Sequence, residues 1–510
     1  MRTTLERRAA RRGRRAGSPL LKHPFQPLHN PLAPLTLLDG EREERLHQAS
    51  LRILEETGIL FMDREALDLW QAAGARVNRP AMLVKIDGGL LMELVARAPE
   101  RFTWRARNPE RDVPVGGDTI TLAPNGGMAY ASSLDHGRHP GTLDDFEDFI
   151  KLAHVCNILH YNGGELVALQ DVNPSLRHLK RLYSAFTLTD KALIEDAHGR
   201  IISCDVIEMT RMVFGDLEAG PVLGGVINSS SPLRYDERMA SGLITFARHG
   251  QVLIITPFIL AGAMSPVTTA AALAQQNAEA LAGIALAQLV RPGAPVMYGG
   301  FTTNVDMHSG SPAFGTPEGA WALAVGAQLA RRYHLPYRGS GGLNTSKLPD
   351  AQAAYETMWT LWPAILAHTN FILHSVGWLE GGLTASYEKF VMDAEMLAMF
   401  AHFLRGFEIN DETLALDMID LVGPGGHHFE TPHTQAHYSS AFFESALADR
   451  LGYESWLAGG GQDAAQRANA VWKELLASYE KPDLDPGIEQ GLREFVERRS
   501  RELAGKNLYD

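Results

Sequence analysis

Four histidines form the densest group of side chains that could do chemistry, at His427, His428, His433 and His437. His433 and His437 are four residues apart, a spacing that places both imidazoles on one face of a helix and suits a zinc ion. No cysteine lies near them, and residues 423–432 contain too much glycine and proline for a helix. We therefore favour a loop that closes over the mouth of the fold and is ordered by histidine hydrogen bonds, with a metal site on His433 and His437 as the alternative.

Three aromatic residues could face a cationic ligand. Trp378, together with Phe301 or Tyr387, could line a site for a methylated ammonium group, because aromatic faces attract such cations. Each of these rings could instead be packing. The aromatic residues therefore predict a site only if the fold brings them together.

Six polar residues are further candidates for binding a small substrate: Asp196, His198, Asn228, Asn344, His374 and Glu380. Asp196 and Glu380 could act on a substrate or could cap the helices that follow them. His198 and His374 could donate from a ring nitrogen. His374 precedes its predicted strand end, so it could equally be a core histidine.

Glycines cluster in the segment Gly339-Ser-Gly-Gly-Leu-Asn. Gly339, Gly341 and Gly342 could let the backbone approach a ligand closely, or could simply form a tight turn. The chain has no P-loop, no G-x-S-x-G elbow and no C-x-x-C motif. The commonest nucleotide-binding, hydrolase and redox functions are therefore not indicated.

The elements that must position these residues follow a regular alternation. Eight short apolar runs, each followed by a helical pattern, lie at residues 127–132, 164–169, 192–196, 222–228, 252–258, 296–301, 337–342 and 371–376. This alternation predicts a parallel α/β sheet. Eight repeats favour a closed (β/α)8 TIM barrel, and no G-x-G-x-x-G motif supports an open dinucleotide-binding sheet. Residues 125–130 could instead form a hairpin outside the barrel.

In such barrels the active site lies at the carboxyl ends of the strands, where these polar and aromatic candidates are predicted to lie. We expect four parts along the chain. They are a basic, Pro-rich arm (residues 1–35), an α+β cap (36–122), the barrel (123–406) and a C-terminal helical extension with the Gly/His loop (407–510).

Composition excludes several classes of function. The net charge of −13 argues against nucleic acid as a partner. Two cysteines exclude a disulfide framework and fit a reducing compartment. No run of 18 apolar residues predicts a membrane span, and no apolar segment follows the N-terminal arginines as in a secretion signal. We expect a cytoplasmic enzyme that acts on a small molecule.

Several long segments resemble the trimethylamine methyltransferase family. They are Ser346-Lys-Leu-Pro with Asp350-Ala-Gln-Ala-Ala-Tyr-Glu, the segment Gly377-Trp-Leu-Glu-Gly-Gly-Leu-Thr-Ala-Ser-Tyr-Glu-Lys-Phe-Val-Met-Asp, and Gly423-Pro-Gly-Gly-His with Thr431-Pro-His-Thr. The helix predicted at 51–58 and Gly141-Thr-Leu-Asp-Asp-Phe are also similar. The resemblance extends from about residue 40 to the end of the sequence.

This resemblance implies a barrel enzyme that demethylates a small amine and delivers the methyl group to the cobalt of a corrinoid (cobalamin) on a cognate partner protein. The trimethylamine branch carries pyrrolysine, and none is present in this sequence. The resemblance therefore favours the branch that uses quaternary amines such as glycine betaine. We also expect a homo-oligomer.

A quaternary ammonium leaves as a neutral amine, so no general acid is required. The enzyme should not bind the cation too well, because only interactions that strengthen in the transition state accelerate the reaction. We expect an aromatic wall at the methyl groups, and a substrate carboxylate anchored by His198, Asn228, Asn344 or backbone amides near Gly341. Two alternatives remain. One is a zinc-dependent barrel hydrolase or lyase using His433 and His437, and the other is a non-catalytic betaine-binding protein.

Overall fold

Seven parallel strands form the centre of the computed structural model, which describes residues 18–508. They are β1 (Thr119–Leu122), β2 (Leu193–Glu195), β3 (Leu223–Ile227), β4 (Val252–Ile255), β5 (Val296–Gly299), β6 (Tyr337–Ser340) and β7 (Phe371–Leu373). Their order is β1-β7-β6-β5-β4-β3-β2, and Leu28–His29 adds an antiparallel strand beside β1. The result is a curled eight-stranded sheet in a mixed α/β fold.

Apolar runs form these strands because both faces of the sheet are covered. Every residue of β4 is buried, as parallel strands require. The helices that follow the strands are α1 (Leu143–Val155), α2 (Arg177–Leu188), α3 (Arg200–Phe214), α4 (Glu237–Arg248), α5 (Thr269–Val290), α6 (Pro317–Arg332), α7 (Ala351–Leu366) and α8 (Tyr387–Arg405). Side-chain caps begin several of them, including a capping box formed by Thr142 and Asp145 at α1.

The third to eighth predicted strands are confirmed by β2 to β7. The first prediction, residues 127–132, is wrong, because the first strand of the sheet is β1. Tyr130–Ser133 instead belongs to a separate sheet with Gly137–Pro140, Trp378–Leu379 and Thr384–Ser386. Gly127, with a positive φ, ends the extended conformation between β1 and Tyr130–Ser133.

The second predicted strand, residues 164–169, is also wrong, since this segment is a loop. Residues 159–162 lie between β1 and β2 instead. His160 N donates to Leu122 O at 2.8 Å, and Tyr161 forms a parallel bridge with Ala192. The sequence does not indicate a buried strand here, because Leu-His-Tyr-Asn alternates apolar and polar residues instead of forming an apolar run. All four residues are nevertheless buried.

The N-terminal part covers one side of the sheet and fills its concave face. It contains helices Gly40–Arg52, Arg64–Ala72 and Gly88–Val95, strands Ile59–Phe61, Arg76–Asn78 and Leu83–Lys85, and the hairpin Phe102–Trp104 with Val113–Val115. The hairpin inserts Trp104 among residues of the sheet interior, where its ring centroid lies 5.0 Å from that of Tyr161. Of the predicted arm, residues 1–17 lie outside the described residues, and Pro19–Lys22 forms a 3-10 turn.

The remaining elements decorate the rim and the C-terminal part. Short strands lie at Arg234–Tyr235, Phe258–Ala261, Phe301–Val305 and Pro312–Ala313, with 3-10 turns at Pro109–Arg111, Pro174–Leu176 and Glu380–Gly382 and a π turn at Ile53–Thr57. The C-terminal part has short helices Asp411–Leu414, Leu416–Val422, Pro432–His437 and Tyr453–Ala458, followed by α9 (Ala464–Ala477) and α10 (Pro486–Leu503). Between residues 18 and 508, no helix is both long and apolar enough to cross a membrane.

Candidate active-site cavity

A cavity of about 220 Å³ lies at the carboxyl ends of the strands. It is smaller than the roughly 300–1,000 Å³ of sites for drug-sized ligands, so its occupant must be small. Its lining residues are Gly126, Gly127, Gly163, Gly164, Glu165, Ile194, Glu195, Asp196, His198, Val226, Asn228, Phe301, Arg338, Leu373 and His374. Five of the predicted site residues are therefore brought together here: Asp196, His198, Asn228, Phe301 and His374.

Arg338 provides the positive charge of this cavity. It lies in β6, is almost fully buried, and forms no ion pair with any carboxylate of the described residues. Its Nη1 makes one long hydrogen bond of 3.4 Å to Gly300 O, and its Nε has no hydrogen-bond partner among them. Burial lowers the pKa of Arg338 to about 10, so the side chain is still charged at neutral pH. A buried guanidinium with unused hydrogen-bond donors is a binding site for an anion.

His374 stands beside Arg338 at the end of β7. Its Nδ1 lies 3.1 Å from Ser340 Oγ, and its ring packs between Phe301 and Trp378 at centroid distances of 5.3 and 4.7 Å. Burial, and then the charge of Arg338, hold the pKa of His374 well below its usual value, so the imidazole is neutral. If Ser340 donates to Nδ1, the Nε2–H remains available as a donor.

Phe301 forms the aromatic part of the lining. Its ring is stacked against Phe314 at 5.6 Å and lies 5.2 Å from the guanidinium carbon of Arg338. The guanidinium is therefore held by an aromatic face and by a backbone carbonyl rather than by an acid. This leaves its remaining N–H groups free to bind a ligand.

The opposite wall carries three carboxyl groups around one buried arginine. Arg181 Nη1 lies 2.6 Å from Glu165 Oε1, its Nη2 is bonded to Asp196, and its Nε lies 4.0 Å from Glu195 Oε2. Although burial favours the neutral acid, the Arg181 guanidinium lowers the pKa of Asp196. Asp196 is thus held by Arg181 rather than free to cap a helix.

Glu195 is the member of this cluster that is protonated. Burial raises its pKa to about 8, despite the opposing charge of Arg181. Its Oε1 accepts from Asn162 Nδ2 at 3.4 Å, and its Oε2 has no hydrogen-bond partner in the described residues. The carboxyl of Glu195, which is fully buried beside the cavity, is therefore neutral at neutral pH.

The other predicted site residues lie outside the cavity lining. Trp378 packs behind His374 and Phe301, and its Nε1 donates to Asn344 O at 3.0 Å. Asn344 Nδ2 returns a bond to Trp378 O at 2.6 Å, so this pair supports the His374 ring. Glu380 is ion-paired with Arg138 at 2.7 Å.

Tyr387 also has a structural partner. Its hydroxyl donates to Asp145 at 3.0 Å, and its ring stacks on Phe149 at 4.4 Å. The three predicted glycines meet neighbouring protein atoms. A Cβ at Gly341 would lie 2.4 Å from Leu361, one at Gly339 would lie 2.9 Å from Thr369, and Gly342 adopts φ +62° against the backbone of His374. The glycines that line the cavity are instead those at 126–127 and 163–164.

The histidine pair His433 and His437 lies on a different surface. The two rings are 4.6 Å apart, and His437 Nε2 lies 3.5 Å from Glu412. No group of three or more potential metal ligands is found within the part of the chain that the structure describes.

Sequence reasoning missed Arg338, Arg181 and Glu195, although a signal existed. Arg338 and Glu195 are charged residues inside otherwise buried strands, and such residues are rarely buried without a role. The cavity lining includes Arg338 and His374 on one wall and Glu165, Glu195 and Asp196 on another. Such an arrangement can bind a small zwitterion, with its acid at Arg338 and its ammonium towards the other wall.

Comparison with protein families gives a match over almost the whole chain. Residues 4–504 match the family described as "Trimethylamine methyltransferase (MTTB)". A glycine betaine methyltransferase of Desulfitobacterium hafniense (strain Y51) is 40% identical over 470 residues, which are 92% of this chain and 98% of that protein. The trimethylamine methyltransferase MttB of D. hafniense (strain DSM 10664 / DCB-2) is 33% identical over 473 residues, 91% of this chain and 95% of that protein.

Among solved structures, the crystal structure of the hydroxylamine MtmB complex has a similar fold. The TM-score is 0.52 at 9% sequence identity, over 91% of this chain and 89% of that one. At this identity the similarity concerns the fold alone.

Proposed function

Because this chain is a methyltransferase of the trimethylamine methyltransferase family, we propose that it removes a methyl group from a small quaternary amine that carries a carboxylate, such as a betaine, for transfer to a corrinoid protein. The chemistry of the cavity supports this choice of substrate within the family. Sequence similarity to a glycine betaine methyltransferase points the same way.

The observation that carries the proposal is the unpaired guanidinium of Arg338. A substrate carboxylate would complete its hydrogen bonds, and the Nε2–H of His374 would donate a further one. Trimethylamine has no acidic group and would leave Arg338 buried without a counter-charge. The cavity therefore suits a betaine better than a simple amine.

The ammonium end would lie away from Arg338, towards the wall that contains the neutral carboxyl of Glu195. Binding here surrounds the ammonium with dipoles and without a free anion, because Glu165 and Asp196 are paired with Arg181. This matters because the nitrogen loses its positive charge as the carbon–nitrogen bond breaks. A full anion in contact with nitrogen would stabilise the substrate more than the transition state.

A corrinoid carried by a partner protein would supply the reduced cobalt that accepts the methyl group. A corrin ring is too large for a cavity of about 220 Å³, so the partner would dock over the mouth. The glycines of the lining fit this approach, since a Cβ at Gly127 would meet nothing within 4 Å. Arg338 and His374 would hold the substrate so that one methyl group faces this mouth.

We also infer that the sheet closes into an eight-stranded barrel. The bond from His160 to Leu122 and the bridge from Tyr161 to Ala192 support residues 159–162 as the missing strand between β1 and β2. The barrel of the four-part division would then begin at Thr119 instead of residue 123. Closure would enclose the cavity by strands on every side.

A binding experiment with matched ligands tests the choice of substrate. Glycine betaine should raise the melting temperature of the purified protein, whereas choline, with the same ammonium but no carboxylate, should not. Incubation with glycine betaine and reduced free cobalamin should then release dimethylglycine. Equal binding of choline or trimethylamine would contradict the proposal, and betaine binding without any product would favour a non-catalytic binding protein.

A further inference from the structure

Residues 407–442 follow α8 and are almost entirely exposed. This segment is called the arm below and is distinct from the N-terminal arm predicted at residues 1–35. Only Thr431 is buried in this arm. Its large exposed apolar side chains are Phe407, Ile409, Leu414, Leu416, Ile419, Leu421, Phe429, Tyr438 and Phe442. The arm therefore has almost no core of its own.

The arm is nevertheless built as defined structure. Asn410 forms a capping box with Thr413 at the first short helix, and Thr431 caps Pro432–His437 through the backbone N–H of Thr434. Phe429 is 85% exposed and Phe442 is 82% exposed. Soluble monomers rarely expose so many large apolar side chains together, so this surface is expected to be covered.

Charge restricts what can cover it. Residues 407–442 contain six carboxylates and no lysine or arginine. A complementary surface must therefore be apolar and must carry positive charge, because carboxylates facing other carboxylates would oppose association.

The body of the same chain offers such a surface. A groove of about 800 Å³ lies between helix Gly40–Arg52 and the first turns of α5 and α6. Its lining is mainly apolar, including Leu46, Ala270 and the half-exposed Trp321, and it contains Arg42 and Arg45 but no carboxylate. No residue of the arm lines the groove within one described chain.

A permanent partner fits the arm better than a corrinoid protein does. The corrinoid partner must release the enzyme after each transfer, and transient interfaces are about as apolar as ordinary surface. Permanent interfaces, by contrast, are more hydrophobic and resemble a protein core in composition. With nine large exposed apolar side chains, the arm resembles a permanent interface.

We propose that the arm of one copy lies in the groove of a second copy and so holds a homo-oligomer together. Each contact joins an arm to a groove, and two reciprocal contacts of this kind close a dimer when the copies are related by a two-fold axis, so the interface is isologous. This assembly does not depend on the methyl-transfer function proposed above.

Light scattering coupled to size-exclusion chromatography tests the assembly on the full chain. The wild-type protein should elute as a multiple of 55.9 kDa. An arm variant, Phe429→Asp with Phe442→Asp, and a groove variant, Trp321→Asp, should each dissociate, with affinity weakened roughly tenfold or more. Leu134→Asp is the control, because Leu134 is as exposed as Trp321, at 52%, but lies outside both surfaces.

Mixing the two defective variants gives a second readout. An arm variant still has an intact groove and a groove variant still has an intact arm, so the mixture should form dimers that neither variant forms alone. Unchanged circular dichroism would establish that each variant is folded. A monomeric wild-type protein, dissociation by the arm variant but not by Trp321→Asp, or failure of the mixture to associate would each overturn the proposal.

Discussion

Arg338 is a buried cation whose ordinary structural partners are missing among the described residues, so the free protein bears its cost of desolvation. Replacing it with methionine removes that charge and leaves a side chain of similar length. We predict that Arg338→Met loses about 2–4 kcal/mol of betaine binding, roughly 30- to 1,000-fold in affinity. Titration calorimetry with glycine betaine measures this, and Arg338→Lys should recover part of the loss.

The same substitution at Arg181 is the matched control for stability. Arg181 is equally buried but is surrounded by Glu165, Asp196 and Glu195. Arg181→Met should therefore destabilise the protein by about 3–5 kcal/mol, because it leaves buried carboxylates without a counter-charge. Arg338→Met should leave the stability unchanged or raised. Equal destabilisation by both variants would mean that Arg338 has a structural role.

Glu195 makes the stability of the folded protein depend on pH. Its pKa is about 8 in the folded protein and 4.5 as an ordinary glutamate, so the folded state holds a proton that the unfolded state releases. The stability that it contributes is complete below about pH 4.5 and is lost as the pH rises to about 8. Glu195→Gln keeps the neutral form at every pH.

We predict that Glu195→Gln and the wild-type protein melt at similar temperatures near pH 5, and that the variant is the more stable near pH 8.5. Thermal unfolding across this range, followed by circular dichroism, measures the difference. A difference that does not change with pH would contradict the protonated carboxyl. Asp171→Asn, at a carboxylate outside the cavity lining, is a suitable comparison.

At the level of elements, one buried ion pair holds the segment that carries Trp378. Lys389 and Asp393, on adjacent turns of α8, are bonded to each other and are almost fully buried. Asp393 also accepts from Gly377 N at 2.9 Å, and Lys389 donates to Thr357 in α7 at 2.9 Å. The pair thus joins α7, α8 and the turn before Trp378, which in turn supports His374.

We predict that Asp393→Ala destabilises the protein by about 3–5 kcal/mol, because Lys389 is left buried and unpaired. The double variant Lys389→Met with Asp393→Leu should recover most of this loss, since apolar replacement of a buried pair is often neutral. Denaturant unfolding measures both. If the double variant is no more stable than Asp393→Ala, the pair is not the cause.

At the level of the whole molecule, Trp104 joins the N-terminal part to the sheet. Its ring enters the concave face so closely that a Cβ at Gly224 in β3 would lie 2.0 Å from it. The ring also stacks on Phe371 of β7 at 6.2 Å. Strands from opposite parts of the sheet therefore pack against one side chain.

We predict that Trp104→Ala costs about 3–5 kcal/mol and that Trp104→Phe costs less, because a smaller cavity is left. Calorimetry measures the loss. A single transition in both variants is expected if the N-terminal part and the sheet unfold together. An early separate transition in the wild-type protein would contradict that coupling.

The sequence alone determined β2 to β7, their helices and the edge at which a site must lie. Apolar runs and helical periodicity are properties of short segments, so each predicts its own strand or helix without knowledge of the tertiary structure. It also identified five lining residues, because Asp196, His198, Asn228, Phe301 and His374 follow or end such runs. The family was indicated by long local segments for the same reason.

Only the tertiary structure decided which chemistry these residues surround. No sequence pattern shows that Arg181 is paired and Arg338 is not, because the distinction lies in the carboxylates that the fold brings to one and not to the other. The first two strands were misplaced because their pairing depends on partners far along the chain. The exposed arm carries nine large apolar side chains, and only the positions of the other residues between 18 and 508 reveal that none of these covers them.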